Sequence, residues 1–160
     1  MPLSFLPRVV TGELTDLTEE YLLSRGIKLL MMDFDNTIVP YTTDVPTEKM
    51  LAWLETMKAS KVKIATRLIR FCETYGLDYI RKAYKPRPKG LRECMARFHF
   101  LPEESALVGD QIFTDIVAAN LAGVTPILVD AIHNHTVWLK ARGALELPFR
   151  FLARKRRLKI

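Results

Sequence analysis

The sequence has few of the features that mark several common protein classes. It contains two cysteines, Cys72 and Cys94, in 160 residues, and their spacing matches neither a metal-binding nor a redox motif. This excludes a disulfide-stabilised scaffold, and we expect both cysteines to lie in helix cores in a reducing compartment. No apolar run approaches the length of a transmembrane segment. The amino terminus also lacks the charged-then-apolar pattern of a signal peptide, so we expect a cytoplasmic protein.

Internal repeats and low-complexity segments are also missing from the sequence. A chain of this length and ordinary composition can bury a sizeable core, so we expect one domain over residues 1–160. Apolar runs alternate with helical patterns, which indicates an α/β fold with a central parallel sheet. The predicted strands are 27–32, 61–65, 106–109 and 125–130. The predicted helices are 18–25, one that begins at Pro46, one that ends at Gly76, 89–98 and 114–122, with an extended segment at 77–83.

A pair of carboxylates follows the first of these predicted strands. Residues 33–37 read DFDNT, so that Asp33 and Asp35 lie two positions apart at the carboxyl end of a buried strand. In extended backbone, such residues point to the same side of the sheet. Two buried carboxylates so close together are costly unless a cation lies between them, and Mg²⁺ prefers such oxygen ligands. On its own the pair could also belong to a helix cap or a turn.

Two later segments favour the metal-site interpretation. Lys85 follows the predicted extended segment, and the apolar run 106–108 ends at Gly109, directly before Asp110. Asp115 lies five positions further along the chain. If the strands are parallel and adjacent, these groups meet at one edge of the sheet, which is where open α/β sheets bind ligands.

These motifs together resemble the haloacid dehalogenase (HAD) superfamily of phosphatases, and most closely its subclass IIIA, the YqeG and phosphatidylglycerophosphatase group. The resemblance covers most of the chain apart from about the last thirty residues. It implies a three-layer, Rossmann-like fold with a central parallel sheet. The matching segments are 5–7 (FLP), 26–28 (GIK), 33–37 (DFDNT), 82–86 (KAYKP), 109–115 (GDQIFTD) and Gly123.

The resemblance also implies a mechanism for the first motif. Asp33 would attack phosphorus to form an aspartyl phosphate, and Asp35 would protonate the leaving group and then activate water. Mg²⁺ would contact the Asp33 carboxylate, the carbonyl oxygen of Asp35, Asp110 and the substrate phosphate.

The remaining candidate residues would hold the phosphate or support the metal. Lys85 would bind the phosphate and offset the carboxylates, and Asn36 and Thr37 are candidate substrate-binding residues. Asp115 is included with the metal residues, where it would orient Lys85 or a metal-bound water. The alternative for Asp115 is a place in the first turn of a helix, where a carboxylate interacts favourably with the helix dipole.

The segment after the second strand departs from the family pattern. In family members, the second strand is usually followed by Ser or Thr, then Asn, and then a short loop before the next helix. About five residues of that loop are missing from this sequence. Thr66 follows the strand and is immediately succeeded by Arg67. It is therefore either the hydroxyl that binds the phosphoryl group or merely the N-cap of the helix that ends at Gly76.

Two further features bear on the substrate. Neither the segment between Thr37 and the second strand nor that between Thr66 and Lys85 can hold a cap domain, so we expect an open site. The net charge of +6 equals the six basic residues within the carboxyl-terminal segment 148–160, where aromatic and leucine residues are interleaved with them. This basic tail is either a peripheral contact to an anionic membrane, on its inner face, or a solvated terminus. Nucleic-acid binding is not expected, because no such motif is present.

We therefore predict an uncapped, Mg²⁺-dependent phosphomonoesterase. The resemblance favours phosphatidylglycerophosphate as the substrate, hydrolysed at the membrane surface. The alternatives are a phosphatase for soluble sugar, nucleotide or protein phosphates, and a catalytically impaired binding protein with a shortened loop at Thr66.

Overall fold

A six-stranded sheet forms the centre of the molecule. The computed structural model describes residues 4–80, 84–132 and 137–158, without the side chains of 137–139 and 142. All strand pairs are parallel, in the order β1-β6-β5-β2-β3-β4. The strands are β1 (Val9–Thr11), β2 (Leu29–Met32), β3 (Lys63–Thr66), β4 (Asp78–Tyr79), β5 (Ser105–Gly109) and β6 (Thr125–Val129).

Helices cover both faces of this sheet and complete a three-layer α/β fold. Side chains of α1, α2 and α3 share one apolar core with alternate residues of the strands, whereas those of α4, α5 and α6 pack on the opposite face. Burial on both faces explains why the central strands are continuously apolar in the sequence. The helices are α1 (Glu19–Ser24), α2 (Glu48–Lys58), α3 (Ile69–Tyr75), α4 (Lys89–Phe98), α5 (Val117–Ala122) and α6 (Val137–Ala153).

The register of the central strands brings three chain segments to one edge of the sheet. Met32 at the end of β2 lies opposite Thr66 of β3 and Val108 of β5. The backbone N–H of Asp33 donates to the Val108 carbonyl oxygen at 2.8 Å, which extends the pairing by one residue. Because β2 has strands from later in the chain on both sides, its carboxyl end is a topological switch point.

The predicted elements are all present, with shifted boundaries, and the α/β class with a central parallel sheet is confirmed. The predicted helix 114–122 is in fact a π-helical turn (Ile112–Ile116) followed by α5. Of the extended segment 77–83, the structure shows β4, and residues 81–83 lie outside the described residues. Both cysteines are free and buried, on α3 and α4 as expected. No insertion that could serve as a cap is found among the described residues.

Two elements were not predicted from the sequence. One is β1, a three-residue strand at the sheet edge. The other is α6, which contains Pro148 and includes the beginning of what the sequence suggested was a basic tail. Phe149 packs against Phe5 and Phe113, and Arg157 pairs with Asp130 at 2.8 Å. The segment 148–158 therefore packs on the rest of the molecule and is not a frayed terminus, although most of its basic side chains are exposed to solvent.

No helix in the described part of the chain is both long enough and apolar enough to cross a bilayer.

Candidate active site

The DFDNT motif forms a tight turn directly above β2. Asn36 adopts a left-handed backbone conformation with φ of 56°, and its N–H donates to the Val39 carbonyl oxygen at 2.7 Å. Phe34 and Ile38 point into the apolar core. This alternation leaves the Asp33 side chain at the carboxyl edge of the sheet, where only 5% of it is exposed.

Three carboxylates from two strand ends converge at this edge. Oxygen atoms of Asp33, Asp110 and Asp115 lie within 4.8 Å of one another, and all three residues are buried. Asp115 reaches this position from the π-helical turn because Gly109 has no side chain. A Cβ at position 109 would lie 2.7 Å from the Cβ of Asp115 and still closer to its carboxylate. The glycine before Asp110 therefore makes room for the third carboxylate.

Lys85 places its ammonium group within this cluster. Its Nζ donates to Asp33 Oδ1 at 2.5 Å and also to Asp115 Oδ1, and only 11% of the side chain is exposed. The second oxygen of Asp115 accepts a hydrogen bond from the Gln111 backbone N–H at 3.1 Å. Asp115 thus contacts Lys85, the residue that it would orient in one of its predicted roles. It does so from a π-helical turn rather than from the first turn of an α-helix.

Burial and mutual repulsion perturb the titration of these groups. Burial, together with the charges of Asp115 and Asp33, raises the pKa of Asp110 to about 8. Burial also raises the pKa of Asp115 to about 6, although the Lys85 charge opposes this. Burial would lower the pKa of Lys85, but the adjacent carboxylates of Asp115 and Asp33 outweigh that effect and raise it. When all three carboxylates are ionised, the single positive charge of Lys85 leaves the cluster with a net negative charge.

This arrangement fits a divalent cation. Among the described residues, Asp110 Oδ1 is buried without a hydrogen-bond partner, which is costly for a polar atom in either protonation state unless a ligand satisfies it. Closely spaced carboxylates with a raised pKa are the donor set that a hard ion such as Mg²⁺ prefers. The Asp35 carboxylate lies outside the three-residue cluster, so its expected contribution would come from the carbonyl oxygen.

Two hydroxyl groups lie near the same edge. Thr66 is the last residue of β3, and Thr37 belongs to the DFDNT turn. Both side chains are buried, and neither Oγ1 atom has a hydrogen-bond partner within the described ranges. The N-cap alternative for Thr66 is wrong, because Leu68 occupies that position in α3 and provides no side-chain hydrogen bond. Asn36, the third candidate of this group, is completely buried.

Two residues of the site were missed by sequence reasoning. Arg67 donates through Nη2 to Asp35 Oδ2, and its Nε lies 3.6 Å from Asp33 Oδ1. The only signal for it was its position directly after a strand that ends at the site. The other missed residue is Glu146.

Glu146 of α6 anchors the loop that carries Asp110. Its buried carboxylate accepts from the Ile112 backbone N–H at 2.8 Å and pairs with Arg150 at 3.1 Å. Arg150 in turn donates to the Asp110 carbonyl oxygen at 2.6 Å. No local sequence pattern indicated these two contacts, because Ile112 and Glu146 lie 34 positions apart and Asp110 and Arg150 lie 40 positions apart.

Comparisons with known proteins agree with this geometry. The chain is 30% identical over 132 residues to a Bacillus subtilis (strain 168) protein named probable phosphatase YqeG, a match that covers 78% of this chain and 77% of that protein. The chain belongs to the YqeG-like phosphatases of the HAD superfamily. A family model described as HAD-hydrolase-like matches residues 83–141, which include Lys85, Asp110 and Asp115.

Solved structures share the fold at low identity. A HAD hydrolase of subfamily IIIA from Legionella pneumophila superposes with a TM-score of 0.52 at 14% identity, covering 78% of this chain and 76% of that one. The 3-deoxy-D-manno-octulosonate 8-phosphate phosphatase from Moraxella catarrhalis, a complex with magnesium, phosphate and KDO, gives 0.50 at 14% identity, covering 85% and 97%. Together with the family assignment, these findings identify a HAD-type phosphatase.

Proposed function

We propose that this HAD phosphatase, as one domain over residues 1–160, is a Mg²⁺-dependent phosphomonoesterase that works through an aspartyl phosphate. The observation that carries the proposal is the buried cluster of Asp33, Asp110 and Asp115 with Lys85 inserted between two of its carboxylates. A purely structural role does not account for such a cluster, because burying three carboxylates around one cation is unfavourable.

The chemistry follows from the positions of the two aspartates of the first motif. An oxygen of Asp33 attacks phosphorus, the bond to the ester oxygen breaks, and that oxygen takes a proton from Asp35. In the second half, Asp35 takes a proton from water, whose oxygen attacks phosphorus and releases phosphate from Asp33. Mg²⁺ bound by Asp33, the Asp35 carbonyl oxygen and Asp110 would offset the negative charge of the phosphoryl oxygens.

The polar groups around the nucleophile suit a phosphoryl group. Lys85 contacts Asp33 directly and supplies a positive charge at the site. The hydroxyls of Thr66 and Thr37 have no hydrogen-bond partner in the described part of the chain, and phosphoryl oxygens can accept from them. Asn36 belongs to the same turn as Thr37. We assign these groups to phosphate binding, with Asp115 holding Lys85 in place.

For the substrate we propose phosphatidylglycerophosphate, with hydrolysis at the surface of an anionic membrane. The outer face of α6 exposes Leu147, Phe151 and Leu152, each more than 60% accessible, beside the exposed basic residues Arg154 and Lys155. An apolar stripe flanked by basic side chains is typical of helices that lie on anionic lipid surfaces.

This surface is next to the catalytic edge. A cavity of about 470 Å³ lies beside the contact between α6 and the Asp110 loop, and Lys140, Leu147 and Arg150 contribute to its wall. A phosphate on a lipid head group would therefore approach the site along the same helix that contacts the membrane. The open site, without a cap among the described residues, also suits a substrate presented on a large surface.

One observation favours a second candidate, a HAD-fold binding protein with impaired catalysis. The loop after β3 is short, and Arg67 pairs with Asp35, the expected general acid. A phosphatase for soluble phosphate esters remains the alternative within the enzyme class.

The decisive experiment measures Mg²⁺-dependent phosphate release from phosphatidylglycerophosphate in mixed micelles, with p-nitrophenyl phosphate in parallel and Asp33→Asn as the control. Release from the lipid that is lost in the variant supports the proposal. Turnover of the chromogenic ester alone refutes the lipid substrate. Release from neither substrate by a folded protein that binds Mg²⁺ favours the binding-protein candidate.

Membrane contact is tested separately by sedimentation with vesicles that contain phosphatidylglycerol. Phe151→Ser should weaken sedimentation, and added salt should weaken it further because exposed charges are screened. Leu101→Ser is the matched control, since Leu101 is similarly exposed (62%, against 67% for Phe151) but precedes β5 at the opposite end of that strand from the site. Equal binding by both variants would exclude α6 as the contact surface.

A further inference from the structure

Arg67 has no assigned role in the proposed reaction, although it lies at the mouth of the site. It is the first residue after β3, and only Leu68 separates it from α3. Its guanidinium contacts both aspartates of the first motif, donating to Asp35 and lying 3.6 Å from Asp33. The same Asp33 oxygen, Oδ1, therefore faces two cations, the buried Lys85 and the more exposed Arg67.

The exposure of these two cations differs in a way that matters for binding. Only 11% of the Lys85 side chain is exposed, whereas 45% of Arg67 is exposed. Lys85 is fixed by two buried carboxylates and cannot leave them without a large energetic penalty. Arg67 pairs nearer the surface, where an ion pair contributes little to stability. Its guanidinium can therefore exchange partners at little cost.

The phosphoryl group must approach the Asp33 oxygen from the open side, which is where Arg67 lies. A guanidinium has five N–H donors in a planar fork that matches two phosphoryl oxygens, and a phosphate dianion is a better partner for it than a single carboxylate. Phosphate arriving in front of Asp33 would thus meet a donor already positioned by the end of β3.

We propose that Arg67 is a phosphoryl-binding residue of this enzyme, which moves its guanidinium from Asp35 to the substrate phosphate. The exchange has two effects. It supplies charge stabilisation at the point where the shortened loop has removed backbone donors, and it releases Asp35 for proton transfer to the leaving oxygen. This inference rests on the proposed phosphatase function, and it explains how a short loop after Thr66 is compatible with activity.

The first test is kinetic. Arg67→Ala should lower kcat/KM for the substrate that the wild type hydrolyses by about 10²-fold to 10³-fold, the usual effect of removing one charge-stabilising donor. Arg67→Lys should recover only part of this loss, because an ammonium cannot form the two-pronged contact. Added guanidinium ion should restore activity to Arg67→Ala. Arg70→Ala is the control, since Arg70 is an exposed arginine of α3 and its loss should leave kcat/KM unchanged.

The second test does not depend on turnover. Binding of inorganic phosphate in the presence of Mg²⁺, measured by calorimetry, should weaken at least tenfold in Arg67→Ala and remain at the wild-type value in Arg70→Ala. If no ester is hydrolysed but Arg67→Ala still loses phosphate affinity, the phosphatase function fails and the binding role stands. Unchanged or tighter phosphate binding, or higher kcat/KM, would show that Arg67 only blocks the carboxylates, and would overturn the proposal.

Discussion

Replacing Asp110 by asparagine should stabilise the metal-free protein while abolishing its response to Mg²⁺. Asp110 has a pKa of about 8 in the folded protein, raised from 3.8 by burial and by Asp115 and Asp33. Neutral pH lies about 3 pH units above the pKa of an unfolded aspartate, and each unit corresponds to about 1.4 kcal/mol. Keeping this side chain in the fold at neutral pH therefore costs about 4 kcal/mol. A neutral amide avoids that cost.

The pH dependence of this difference provides a specific signature. Because the pKa of Asp110 is raised in the folded state, its carboxyl is protonated in both the folded and the unfolded protein below about pH 4 and costs no stability there. The free energy of unfolding then decreases as the pH rises from about 4 toward 8. At about pH 5, the pH is only about 1 unit above the pKa of an unfolded aspartate. The stability advantage of Asp110→Asn over the wild type should therefore fall to about 1–2 kcal/mol.

The assay is urea unfolding of wild type and Asp110→Asn in chelator, near pH 5 and at neutral pH. The new amide N–H group, buried without an assigned hydrogen-bond partner, offsets about 1 kcal/mol, so we expect a net gain of about 3 kcal/mol at neutral pH and little difference near pH 5. Saturating Mg²⁺, at about 100 times its dissociation constant, should then stabilise the wild type by about 2.7 kcal/mol and leave the variant unchanged. A variant that is less stable than wild type at neutral pH, or that gains equally from Mg²⁺, would refute this account of the cluster.

Three other substitutions test separate parts of the site. Thr66→Val should raise the free energy of unfolding by about 1 kcal/mol, because it removes a buried hydroxyl that has no hydrogen-bond partner among the described residues. It should also lower kcat by about 10²-fold if that hydroxyl binds phosphate. A variant with both a lower free energy of unfolding and a lower kcat would contradict this role. Gly109→Ala should displace Asp115 and weaken Mg²⁺ binding measured by calorimetry, and unchanged affinity would show that the displacement is harmless. Lys85→Met should destabilise the protein in chelator by about 3–5 kcal/mol, since it leaves buried carboxylates without their cation. Denaturant unfolding checks this, and a loss below about 1 kcal/mol would exclude a structural role for the pair.

The sequence contained enough information to predict which segments meet at the site. Asp33, Asp110 and Lys85 each follow or lie near the end of a predicted extended segment, and a parallel sheet brings such ends to one edge. The convergence of these groups and Asp115 could therefore be predicted without coordinates. The specific pairing of Lys85 with Asp115 could not be predicted in this way, because β2 and β3 lie between β4 and β5 in the sheet.

The remaining contacts depend on tertiary packing that local patterns do not encode. Arg67 reaches Asp35 only because the chain turns sharply after β3, and Glu146 reaches the Asp110 loop because α6 packs on β6 and β1. Gly143 and Pro148 interrupt the helical pattern of α6, so the propensities there oppose the structure that the packing imposes. The three-residue β1 is too short for its alternation to be distinguished from a loop.

The charge balance of the site predicts an order of binding. Among the described residues, the charged side chains that meet around the nucleophile are four carboxylates and two cations: Asp33, Asp35, Asp110, Asp115, Lys85 and Arg67. Fully ionised, this set carries a net charge of about −2, and protonation of Asp110 reduces it to about −1. Either state repels a phosphate dianion, whereas a divalent cation brings the ionised set to neutrality. Phosphate should therefore bind only after Mg²⁺.

Calorimetric titration of inorganic phosphate into the protein checks this order. With Mg²⁺ present binding should be measurable, and in chelator it should weaken by more than tenfold. Binding of equal strength in both conditions would mean that Arg67 and Lys85 suffice to hold the anion, and that the three buried carboxylates serve another purpose.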